Sequence, residues 1–173
     1  MSRQFDVIEL LANESLTHLP LNVSSEVYRM FDKCIRIYST PGEESRLRLH
    51  APAGYSGRVQ VCDKTFSIIP SVLIENALKY SIPGTPINIE VFSKGRKCVV
   101  QVSNRAKTSL DASDAVFKKG VRLSADRDGS GNGLYLAKLI AAQHRGDITL
   151  TTKPISADVM EWTFTVGLPE FPE

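Results

Sequence analysis

The sequence predicts a two-layer α/β sandwich: a mostly antiparallel mixed sheet covered on one face by three helices. Three observations carry this expectation. One helical segment followed by two strand-like segments occurs three times along the chain. The strands of each pair are too close in sequence to be joined by a crossover helix, so neighbouring strands are expected to pair antiparallel. Three amphipathic or apolar helices then need one face of that sheet for cover.

The first helix is expected over residues 24–38, capped by Ser24 or Ser25. Val27, Met30, Phe31, Cys34, Ile35 and Tyr38 form a one-sided apolar stripe, and Thr40-Pro41-Gly42 ends it. RLRLH (46–50) and RVQVC (58–62) alternate like strands. The second helix is centred on 70–80, with Pro70 marking its start or a kink. PINIEVF (86–92) and KCVVQVS (97–103) flank Ser93-Lys94-Gly95-Arg96 as a β-hairpin. From Asn104 to Gly129 periodicity fades, and a loop that long inside a compact domain suggests a functional lid. A third helix, apolar nearly all round, runs from about 132 to 144. DITLTT (147–152) and EWTFTVGL (161–168) close the chain as a second hairpin.

Bulk properties narrow the function. The 173 residues suit one domain, and 42% apolar with 23% charged residues is ordinary for a globular protein. A net charge of +2 gives no global field for nucleic acid or a membrane surface. Cys34, Cys62 and Cys98 are odd in number and contain no CxxC, which argues against a disulfide framework or structural zinc and fits a reducing cytoplasm. The N-terminal stretch reads neither as a signal peptide nor as a membrane span.

Chemistry concentrates at three places. DGSGNGLYLAKLI (128–140) sets Gly129, Gly131 and Gly133 at the mouth of a helix, with Ser130 adding a hydroxyl. Leu134 stands where a dinucleotide fingerprint has its third glycine, and Gly-Lys-Ser/Thr is absent, so neither a Rossmann turn nor a P-loop is indicated. A bare helix N-terminus still offers N–H groups and partial positive charge to a phosphate. The alternative is a glycine hinge without ligand. In VLIENALKYS (72–81), Asn76 shares a helix face with Ile69, Val72, Leu73 and Tyr80. An amide there needs a partner; its oxygen suits Mg²⁺, with Lys79 one turn on. The alternative has Asn76 satisfying a backbone group and Glu75 and Lys79 forming a solvated pair. VSNRAKTSL (102–110) is a strand expected to end at Asn104, a polar position of a kind that often reads ligands.

In this order the three places resemble the GHKL (Bergerat-fold) ATPases, and most of all their sensor histidine-kinase branch. ENALKYS resembles that family's N box, and FKKGVR (117–122) followed by DGSGNGLYLAKLIAAQHRGDI resembles its F and G2 boxes. The resemblance runs from about residue 24 to the end. It implies that Asn76 coordinates Mg²⁺ between the phosphates of ATP, that Lys79 contacts phosphate and that Tyr80 flanks the nucleotide. Lys119 and Arg122 would bring lid charges to the γ-phosphate. Gly129, Ser130, Gly131 and Gly133 would cradle the phosphates, and Leu134 would pack under base or ribose. Asn76, Lys79, Lys119 and Arg122 would be the catalytic set.

The sequence departs from the family at two positions. Asn104-Arg105-Ala106-Lys107-Thr108 stands where the family's DxGxG places an Asp that accepts the adenine amino group; Asn104 can accept through its carbonyl, with reduced affinity expected. Val72 stands where hydrolytic members carry a catalytic Glu, which disfavours a gyrase-type ATPase. The function implied is the ATP-binding catalytic domain of a sensor histidine kinase, residues 23–173, following a linker remnant (1–22) from a preceding dimerisation domain. That separate domain would bear the phosphoacceptor histidine, since His18, His50 and His144 lack its sequence context. A response regulator would follow downstream. The expected setting is cytoplasmic, within a parent that can be membrane-anchored. The alternative function is a degenerate nucleotide-binding module acting through protein partners.

Overall fold

The computed structural model describes residues 20–42, 46–107, 114–121 and 131–171. In chain order these form β1 (Val23–Glu26), α1 (Val27–Tyr38), β2 (Leu47–His50), β3 (Arg58–Val61), a one-turn α2 (Asp63–Phe66), α3 (Ile68–Tyr80), β4 (Ile87–Lys94) and β5 (Lys97–Lys107). A 3₁₀ turn (Asp114–Phe117), α4 (Gly133–Gln143), β6 (Asp147–Ser156) and β7 (Val159–Pro169) complete them.

Five strands make the main sheet in the order β2-β4-β5-β7-β6. The β4–β5, β5–β7 and β6–β7 pairs are antiparallel, and only β2–β4 is parallel. Strand alternation sends Ile87, Ile89 and Val91 of β4, Val100, Val102 and Ala106 of β5, and Phe164, Val166 and Leu168 of β7 into one buried layer. On the opposite face Gln101 and Ser103 of β5 meet Thr165 and Thr163 of β7 through hydrogen bonds, so that side is polar. The expected mixed sheet with one helix-covered face is what forms.

Two expectations needed correction. β2 and β3 do not pair with each other. β2 lies parallel to β4, while β3 pairs antiparallel with β1 in a separate two-stranded sheet. Four-residue strands carry too little alternation to specify a partner, and tertiary packing decided. The first helix also begins later than the serines imply. Ser24 and Ser25 belong to β1, and Glu26 occupies the cap position without a side-chain cap bond.

The helices follow their sequence patterns. α1 buries Val27, Phe31 and Cys34. α3 places Pro70 in its first turn, where a missing N–H costs nothing, and buries Ile69, Leu73, Ile74 and Ala77. Its end is tied down twice: Ile82 N–H donates to Arg105 O at 2.8 Å, and Arg46 reaches over to Ser81 Oγ and Thr85 O. α4 buries Leu134, Leu136, Ala137, Ile140 and Ala141 and ends at His144, followed by Arg145 in the left-handed region.

His144 is itself a structural clasp. Its Nδ1 lies 2.8 Å from Ile140 O and its Nε2 accepts the Cys62 N–H at 3.0 Å, linking α4 to the end of β3. Those contacts require the neutral ring with its proton on Nδ1. Burial against Phe66 holds its pKa below the ordinary histidine value.

Candidate functional site

The candidate site lies where α3 packs against the start of α4. Asn76 sits half-buried on α3, and its Nδ2 donates to Val72 O at 2.7 Å. Val72 also packs on the start of α4, for a Cβ added at Gly133 would lie 3.5 Å from Val72 Cγ1. The helix carrying Asn76 therefore packs closely beside Gly133. The Asn76 bond realises the backbone-satisfying alternative, yet it consumes only the amide nitrogen. The carbonyl oxygen is the atom left to offer a ligand.

Further along α3, Lys79 and Tyr80 are both half-buried, with Lys79 Nζ 5.3 Å from the Tyr80 ring centroid. The helix thus ends in an oxygen ligand, a cation and an aromatic ring spread over its last turns.

Gly131 is built for close approach. Its φ is +70°, and an added Cβ would lie 2.8 Å from Val121 O and 2.9 Å from Gly120 C. Any side chain there meets backbone. Next to it, Asn132 spends its side chain outside the helix: Oδ1 accepts the Gly120 N–H at 3.0 Å. These two contacts seat the turn of residues 118–121, with exposed Lys119, directly on the helix start. α4 has no side-chain cap and no acidic residue in its first turn, so its first N–H groups keep their partial positive charge. Gly133 is the first helical residue, and Leu134 is buried in the core behind it.

Asn104 is not at a strand end. β5 continues to Lys107, and Asn104 points into the buried layer, 3% exposed, opposite Trp162 of β7. Among the described residues its Nδ2 has no hydrogen-bond partner, and neither does Trp162 Nε1. A buried donor left unpaired costs about 1–3 kcal/mol, so two side by side mark a place that needs an acceptor. Sequence reading missed Trp162. The signal was its register with Asn104, which depends on how β5 and β7 pair.

The structure therefore sets Gly133 against Val72, one turn before Asn76, and Gly131 against the turn that carries Lys119, with Leu134 buried behind them. Lys79 and Tyr80 follow on α3, and the tie from Ile82 to Arg105 joins that helix end to β5 beside Asn104. Arg122, Gly129 and Ser130 lie outside the described residues. Among the described residues no group of three His, Cys, Asp or Glu side chains could hold a metal. A cation here would take one protein oxygen and draw its other ligands from phosphate and water, a habit of Mg²⁺.

A sheet layered with helices, an asparagine-bearing helix packed beside an uncapped helix start, and a turn bonded to that start define a two-layer α/β domain. The family model described as histidine kinase-, DNA gyrase B-, and HSP90-like ATPase matches residues 64–171, and the chain belongs to this family. Over 97% of its length it is 27% identical to the sensor-like histidine kinase SenX3 of Mycolicibacterium smegmatis, and over 58% it is 34% identical to the heme sensor protein HssS of Staphylococcus haemolyticus. The chain spans 44% and 21% of those two relatives. Among solved structures, the mycobacterial sensor histidine kinase MprB superposes with a TM-score of 0.71 at 15% identity, covering 87% of this chain and 99% of that one. The catalytic domain of histidine kinase ThkA gives 0.65 at 16% identity, covering 87% and 98%. The fold is that of histidine-kinase catalytic domains.

Proposed function

We propose that this chain is the ATP-binding catalytic domain of a sensor histidine kinase, which transfers the γ-phosphoryl group of ATP to a histidine on a separate dimerisation domain. The observation that carries the reading is the contact of Val72 with the Gly133 position. It packs the helix that carries Asn76 beside the uncapped start of α4, to which the turn with Lys119 is bonded through Asn132.

In this reading the polyphosphate lies against the first N–H groups of α4, near Gly131. Asn76 Oδ1 would hold Mg²⁺, which supplies neutralisation of phosphate charge when bound. Lys79 contacts a phosphate from the helix side and Lys119 from the turn. Arg122 adds a second lid cation, and Gly129 and Ser130 extend the cradle. Tyr80 flanks the nucleotide, and Leu134 backs the base or ribose from below. Phosphoryl transfer needs little covalent chemistry from the protein, so positioning and charge do the catalytic work. Val72 leaves the site without a carboxylate base at that position, which suits transfer to an imidazole better than activation of water.

The partners are then a histidine-bearing dimerisation domain of the same parent protein and a response regulator downstream. No described helix is long and apolar enough to cross a membrane. The reading is tested by supplying [γ-³²P]ATP, Mg²⁺ and a separate dimerisation domain to the purified chain. Label on that domain, lost with Asn76→Ala, is the expected result. Tight Mg-nucleotide binding without any transfer would overturn the kinase reading and favour a regulatory module that acts by binding a partner.

A further inference from the structure

Lys138 projects from α4 into a junction of three elements. Its Nζ donates to Ile148 O at 3.1 Å and lies 3.5 Å from Asp147 Oδ1, both at the start of β6. The same ammonium sits over the Phe117 ring, 4.6 Å from its centroid. An ammonium carries three donors, and here a carbonyl, a carboxylate and a ring face answer them. The two contacts with β6 hold the charge in place. The third reaches the 3₁₀ turn Asp114–Phe117. Phe117 is buried and also meets Phe164 of β7 edge-on at 6.2 Å.

From Phe117 the chain passes straight into the turn that carries Lys119. Lys118 N–H donates to Ala115 O at 2.9 Å and Val121 N–H to Lys118 O at 3.3 Å, so residues 115–121 are two consecutive turns closed by their own hydrogen bonds. This piece is pinned to α4 twice. Lys138 holds it at Phe117, and Asn132 Oδ1 holds it at Gly120 by accepting the N–H at 3.0 Å. The two pinning residues are six positions apart, about 9 Å along a helix axis. A piece held at one point can pivot. Held at two points that far apart it cannot, and Lys119 lies between the two pins.

We propose that Lys138 is a positioning residue for phosphate binding: its ammonium, fixed by β6 and seated on the face of Phe117, sets how the turn presents the Lys119 charge beside the start of α4. This rests on the nucleotide-site reading above and adds to it a residue that shapes the site without touching the ligand. A merely structural Lys138 would tie α4 to β6 and do no more. The two roles part on which contact of the ammonium matters, the one with Phe117 or the one with Asp147.

The test is calorimetric titration of the chain with ADP and a non-hydrolysable ATP analogue in Mg²⁺, for the wild type, Lys138→Met, Lys138→Arg, Phe117→Leu and Asp147→Asn. Methionine keeps an unbranched stem and removes the charge. Lys138→Met should weaken the ATP analogue about threefold more than ADP, the loss expected of one cation–π contact of ordinary strength. Lys138→Arg keeps a cation on the ring and should restore the wild-type ratio. Phe117→Leu should lower the ratio as Lys138→Met does, and it keeps the test decisive if Lys138→Met fails to fold. Asp147→Asn should leave the ratio unchanged, although it removes a salt bridge from the same ammonium. In the double variant, adding Lys138→Met to Lys119→Ala should cost the ATP analogue nothing further, because Lys138 acts through Lys119. A ratio unmoved by Lys138→Met and Phe117→Leu, or moved equally by Asp147→Asn, would overturn the proposal and leave the nucleotide site standing. Losses from Lys138→Met and Lys119→Ala that simply add would overturn it in the same way. Failure of the wild-type chain to bind either nucleotide while keeping native circular dichroism would instead overturn the nucleotide site, and this proposal with it.

Discussion

Gly131→Ala is the substitution whose effect the structure fixes most closely. At a φ of +70° a residue with a Cβ loses about 1–2 kcal/mol relative to glycine. The added carbon would also lie 2.8 Å from Val121 O and 2.9 Å from Gly120 C, both backbone atoms that cannot rotate away. Overpacking of that kind adds about 1–3 kcal/mol if the turn stays in place. The turn is held from one side by the Gly120 N–H bond to Asn132, so it can escape by lifting off α4. The net loss then settles at about 2 kcal/mol. Gly133→Ala is the matched control, since a Cβ there meets only Val72 at an ordinary 3.5 Å and the backbone is helical. Alanine at that position should be neutral or stabilising by up to about 0.5 kcal/mol. Urea unfolding followed by circular dichroism measures both. With a slope of about 2 kcal/mol/M, Gly131→Ala should lower the midpoint by about 1 M and Gly133→Ala should not lower it. Equal stability of Gly131→Ala and the wild type would refute the claim that backbone contact at Gly131 seats the turn.

Other consequences follow from the same geometry. Because His144 is held neutral, its folded pKa lies below its unfolded value near 6.5, and its contribution to stability is complete above that value. It is lost as pH falls below 6.5 toward the folded pKa, so unfolding midpoints should drop across that window, and His144→Gln should flatten the drop. Arg46→Met removes charged donation to Ser81 and Thr85 and should cost about 2 kcal/mol in the same assay. All three cysteines are buried, and burial pushes the Cys98 thiol up to about 11. Iodoacetamide at about pH 8, below the thiol's range, should therefore leave the native chain unmodified and alkylate it fully in denaturant. Rapid native labelling would contradict the packing of Cys98 behind Gly57. Lys119→Ala, on an exposed turn, should leave stability unchanged and weaken triphosphate binding more than diphosphate binding.

Much of this architecture is legible in the sequence where periodicity is long. The α1 stripe, the apolar α4 and the long strands β4 and β7 read correctly, and β5 was found though its end was not, because each repeats its pattern several times. The short strands β2 and β3 were found but not their partners, and β1 was missed, since four residues fit several partners and only packing chose among them. The site was legible in part. Glycine spacing located a helix start, but not that Gly131 would seat the 118–121 turn. Asn76 stood out as an amide on an apolar stripe, and its bond to Val72 is local enough to have been foreseen. Asn104 was expected at a strand end because the residues after it turn polar and basic; exposed Arg105 and Lys107 simply alternate with buried Asn104 and Ala106 in a strand that continues. Trp162 gave no signal by itself, because its meaning comes from a cross-strand register that no local pattern encodes.

The proposed function rests on a Mg-dependent nucleotide site between α3 and α4. The most direct measurement is calorimetric titration of the chain with ADP and a non-hydrolysable ATP analogue, with and without Mg²⁺, for the wild type and Asn76→Ala. Saturable binding that strengthens with Mg²⁺, and loses that strengthening in Asn76→Ala, is the predicted result. Binding indifferent to both Mg²⁺ and Asn76, or none at millimolar nucleotide, would contradict the site.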